Sequence, residues 1–89
     1  MKFDQLTFVG TDTSGDFPKP LPWNPKRTGN YSEDCAAGRE YFRELHQLML
    51  ISENPTFLLR VLSAQVQGGT WGGVEIGFSQ AMSEKIFLA

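Results

Sequence analysis

The chain has 89 residues, room for one small domain with a modest core. Its 40 % hydrophobic and 20 % charged residues fit a folded chain rather than a disordered one. Eight Lys and Arg against ten Asp and Glu, a formal charge of −2, weigh against a nucleic-acid binder working through a broad basic face; the lone Cys35 excludes an internal disulfide and a cysteine-based zinc site.

The first thirty residues read as an irregular arm. Gln5-Leu6-Thr7-Phe8-Val9 has the composition of one short strand without a partner elsewhere in the chain. The polar run from Gly10 to Asp16 forms turns. Four of the five prolines fall between residues 18 and 25 and hold Phe17-Pro18-Lys19-Pro20-Leu21-Pro22-Trp23-Asn24-Pro25 extended. Phe17, Leu21 and Trp23 are too apolar for a free tail, so the arm is expected to lie over a helical core. Lys19 to Pro25 also fits the +xxPxxP pattern of polyproline ligands, the competing reading of the same segment. Lys26-Arg27 is the only adjacent basic pair in the sequence.

The helical pattern begins at Ser32, read as an N-cap with Glu33 and Asp34 in the first turn, where the helix dipole favours acids. Gly38, Tyr41, Phe42, Leu45, Leu48 and Met49 recur at helical spacing on one face, with Arg39, Glu40, Arg43, Glu44 and Gln47 opposite. Gly38, inside the apolar stripe, predicts close approach of another segment. Asn54-Pro55 ends this helix and starts a second, with Asn54 as cap. There Phe57, Leu58, Val61, Leu62 and Gln65 share a face while Leu59 and Val66 lie behind, a pattern expected of a central helix or of a subunit interface. Gly68-Gly69 stops it. Thr70 is read as the cap of a third helix whose stripe is Trp71, Val74, Phe78, Ala81, Met82 and Ala89. Over residues 73–78 a strand competes, because Val74, Ile76 and Phe78 also alternate; the unbroken pattern to Ile86 favours helix. Gly72, Gly73 and Gly77 lower helix propensity there and predict tight packing.

Several residues invite chemical readings. Gly68 to Gly73 has the span of a phosphate-binding loop, but Val74-Glu75 follows where a Lys and a hydroxyl are needed. His46, the only histidine, borders the first helix's apolar face beside Glu44 and reads as a boundary residue rather than a base. Cys35 reads as a small packed side chain. Glu75, beside Trp71, is expected to pair with Arg39 or Arg60 across the bundle. Trp71, Glu75 and Trp23 are the candidate binding residues. Trp71 is expected to be a buried anchor reaching toward Gly38, and its glycine neighbours either let backbone approach the ring or leave free N–H groups for an anion.

The run Gly72-Gly73-Val74-Glu75-Ile76-Gly77-Phe78 followed by Ser83-Glu84-Lys85 resembles the C-terminal half of short uncharacterised bacterial and prophage-type proteins, over about Asn54 to Ile86. The resemblance implies a bacterial or phage source and carries no activity with it.

The expected fold is all-α: one domain over 1–89, with three helices in 31–89 and an extended, proline-rich arm over 1–30 that holds at most a short strand. The expected function is a small non-catalytic protein-interaction or self-associating module, a homodimer for preference. The competing readings are a helix-turn-helix DNA-binding protein, opposed by a third helix carrying Glu75 and Glu84 and no arginine, and a small enzyme using His46 or Glu75. No cofactor and no metal are expected. The N-terminus lacks a signal-peptide pattern and the longest apolar run is Leu48 to Ile51, so a cytoplasmic protein is expected.

Overall fold

The computed structural model describes residues 2–88. In chain order it contains a 3-10 turn at Phe3–Gln5, strands β1 (Gly10–Asp12) and β2 (Lys19–Leu21), and helices α1 (Tyr31–Ser52), α2 (Thr56–Gly68) and α3 (Gly73–Leu88). The chain is mainly α-helical, as its periodicity implies.

The cap of α1 lies two residues before the expected Ser32. Asn30 takes that role, its side chain accepting the Glu33 N–H at 3.0 Å, and Glu33 and Asp34 then lie in the first turn. The helix ends at Glu53, which adopts a left-handed φ of 53° and donates its N–H to the Met49 carbonyl. Pro55 stands at the cap position of α2 rather than inside its first turn, and the Asn54 side chain accepts the Thr56 N–H at 3.0 Å. Gly69, with φ 71°, terminates α2. α3 begins at Gly73 rather than after Thr70, so Trp71 precedes it. Residues 73–78 are helix, and of the three glycines only Gly77 is interior.

The central pair is α1 with α3, and glycine sets their separation. A Cβ at Gly38 would fall on the Val74 carbonyl oxygen and lie 2.7 Å from the Phe78 nitrogen. A Cβ at Gly77 would fall on the Cys35 carbonyl oxygen and lie 2.7 Å from its carbon; one at Gly73 would be 2.9 Å from the Asp34 Cβ. The two backbones thus meet at positions where no larger residue fits. α2 is not a central helix. It buries Val61 and Gln65 and leaves Leu59 and Val66 in solvent.

Phe42, Leu45, Leu48, Val61, Phe78 and Ala81 form the core together with Phe3, Leu6 and Phe8 of the arm. The arm therefore packs on the helices, but mostly through residues other than those expected. Leu6 and Phe8 lie in no strand; they follow the 3-10 turn and point inward. β1 pairs antiparallel with β2, placing Thr11 opposite Pro20, so the β element is a small hairpin further along the chain. Phe17 lies at its exposed end, 77 % accessible, and Leu21 is also exposed. Of the three apolar residues expected to pack, Trp23 alone does so substantially, against Phe8, Tyr41 and Phe78. The polyproline pattern is thereby split: Lys19 to Leu21 joins the hairpin and Trp23 faces the core.

Candidate functional site

Glu75 is the most unusual side chain in the structure, a carboxylate with no solvent exposure. It lies in the first turn of α3 and faces the arm as the arm crosses toward α1. Arg27 donates from Nη1 to Oε1 at 2.8 Å and from Nη2 to Oε2 at 2.6 Å, a two-pronged ion pair. The Trp23 indole N–H donates to Oε2 at 2.7 Å and the Gly72 N–H to Oε1 at 2.9 Å. Burial opposes ionisation more than any other single influence, yet the guanidinium, the indole and the amide together hold the carboxyl at about 2. Each oxygen accepts two donors. Such a carboxylate joins two segments and has no position left from which to take a substrate's proton.

The expected partners of Glu75 are engaged elsewhere. Arg39 donates to the Gln80 side chain at 3.2 Å, and the Arg60 guanidinium lies 4.3 Å from the centre of the Phe3 ring. Arg27 takes their place because the arm crosses the start of α3 on the side that Glu75 faces. The free N–H envisaged among the glycines exists as the Gly72 amide, and the anion it meets is Glu75 of the same chain. One residue beyond the pair, Thr28 gives its N–H and its hydroxyl to Asp34 Oδ1 at 2.9 and 2.8 Å. These bonds hold the Asp34 carboxyl below its ordinary value, the backbone bond contributing most. The arm is thus pinned to α3 by Glu75 and to α1 by Asp34. Nothing in the sequence tied Arg27 to Glu75 across 48 residues; the one available signal was an arginine four residues after the tryptophan inside the proline run.

The remaining candidates separate. His46 stacks on Phe42 with ring centres 5.8 Å apart, and Glu44 turns instead to Thr7, accepting its N–H at 2.6 Å and its hydroxyl. Cys35 is buried. Among the described residues no group of three or more His, Cys, Asp or Glu is placed to hold a metal ion, and no helix is long and apolar enough to cross a membrane.

Trp71 is no core anchor. It is 62 % exposed and does not reach Gly38, whose neighbours are the backbones of Val74 and Phe78. The reason is local: α3 starts after Trp71, so the ring falls outside the helical stripe that placed it inward. It lines an open groove along the outer face of α3 with Ile76, Ser79, Gln80, Ser83 and Phe87. Phe87 is 88 % exposed. A second shallow apolar surface lies on α2 at Leu59, Leu62 and Val66. The candidate site is therefore the outer face of α3, with Trp71 as its aromatic member, while Trp23 and Glu75 belong to the scaffold behind it. No family model, no curated protein and no solved structure matches this chain.

Proposed function

We propose that this protein is a small, non-catalytic protein-binding module that acts through the exposed apolar faces of α3 and α2 and associates with itself. The observation that carries the reading is the exposure of Trp71, Phe87, Leu59 and Val66, which form apolar surfaces on two helices of a very small molecule. Isolated surface hydrophobics are ordinary, but a groove edged by two large aromatic rings is the pattern of an interface centre. The chemistry supports binding rather than turnover. The buried carboxylate is saturated with donors, and the histidine rests on an aromatic ring. The outer face of α3 carries Glu84 within its groove, which opposes contact with phosphates.

The test is the molar mass by light scattering behind a sizing column, from about 1 to about 100 µM. Self-association predicts a mass rising toward twice the 10.0 kDa of one chain. A mass that stays at one chain throughout removes self-association from the reading.

A further inference from the structure

The outer face of α3 has a spacing that matches a copy of itself. Ile76, Gln80, Ser83 and Phe87 follow one another at intervals of four, three and four residues, the seam of a helix packed along a second helix. The groove is bulky at both ends, with Trp71 and Ile76 at one and Phe87 at the other, and carries Gln80 and Ser83 between them. A two-fold axis through its midpoint sets a second α3 antiparallel to the first. Phe87 of each copy then meets the Trp71 and Ile76 end of the other, and Gln80 faces Ser83.

Charge follows the same symmetry. Glu84 borders the groove, and Arg39 reaches its rim from α1 through the bond to Gln80. In the antiparallel arrangement Glu84 of one copy lies opposite Ser79 of the other, one residue from Gln80 and hence beside Arg39. The two Glu84 carboxylates stand about five residues apart along the axis, about 7.5 Å at 1.5 Å per residue. Each copy therefore presents an anion where the other presents a cation, twice over.

Resting on the self-association reading, we propose that the partner on this groove is a second copy of the chain, docked as an antiparallel α3 pair with reciprocal Arg39–Glu84 contacts. A closed two-fold contact of this kind uses the same patch on both subunits and ends with the dimer.

The experiment is a charge-reversal cycle read by sedimentation equilibrium on the full chain. Its members are the unmodified protein, Arg39→Glu, Glu84→Arg and the double variant, each checked for an unchanged helical circular dichroism signal. Each single reversal sets like charges against each other and should weaken the dimer about tenfold or more, while the double reversal should restore it to within about threefold. Singles without effect, or a double no tighter than the singles, overturn this arrangement and leave self-association standing. An unmodified protein that is monomeric up to about 100 µM overturns both.

Discussion

At the scale of single residues, Glu75 shows how a buried charge is kept. Its two oxygens meet four donors from Trp23, Arg27 and Gly72, so ionisation survives complete burial. The carboxyl titrates near 2 when folded and near its ordinary 4.5 when unfolded. Above 4.5 both states are ionised and the full stabilisation is present. As pH falls from 4.5 toward 2 the unfolded chain takes up the proton first, and the contribution, roughly 3 kcal/mol, is lost. Asp34 pulls in the same direction. Urea unfolding followed from pH 7 to pH 2 should therefore show a steep acid loss of stability, and Glu75→Gln should flatten it. The same variant should cost about 2–3 kcal/mol at pH 7, because Arg27 is left facing an uncharged amide. An unchanged acid profile would mean that the carboxylate is not held as described. Trp71 makes the opposite case. With most of its ring in water, Trp71→Ala should change the thermal stability of the dilute monomer by no more than about 0.5 kcal/mol. A loss of 3–5 kcal/mol would mean the buried anchor that its place in the helical stripe suggests.

At the scale of elements, the contact between α1 and α3 depends on Gly38, Gly73 and Gly77. Gly77→Ala would drive a methyl group into the Cys35 carbonyl, with the backbone as the only thing to move. It should destabilise by about 1–3 kcal/mol in chemical denaturation despite the better helix propensity of alanine; a stabilised variant would show that the helices stand further apart. The arm is divided in the same way. Phe8→Ala, at a fully buried ring, should cost about 3–5 kcal/mol, while Phe17→Ala should be nearly neutral. The helices and the face of α1 were legible in the sequence because Phe42, Leu45 and Leu48 repeat at helical spacing and Gly38 interrupts them as a contact point. The arm was not. Phe17 and Leu21 are as apolar as Phe3 and Phe8, and only the hairpin between Asp12 and Lys19, a matter of tertiary pairing, decides which rings turn outward. The first turn of α3 was misplaced for a related reason. Thr70 is a reasonable cap by composition, but the packing of Gly73 against Asp34 fixes where the helix begins.

At the scale of the whole molecule, the parts fall into a scaffold and a surface. α1, α3 and the arm are joined by the glycine contact, the aromatic cluster around Phe8 and Trp23, and the Glu75 and Asp34 pins. The outer sides of α3 and α2 are left apolar and uncovered. Of the three candidate binding residues, Trp71 is exposed where a buried anchor was expected, and Trp23 and Glu75 point inward; no periodicity distinguishes a donor-saturated buried acid from a reactive one. In the proposed function the outer face of α3 is the surface of self-association. It is tested most directly by sedimentation equilibrium of the unmodified protein beside Phe87→Glu and Val66→Glu, which place a charge on the α3 and α2 faces respectively without touching the core. Self-association through α3 predicts that the unmodified protein and Val66→Glu dimerise with similar affinity and that Phe87→Glu stays monomeric at about 100 µM. A Phe87→Glu variant that dimerises as well as the unmodified protein would contradict it.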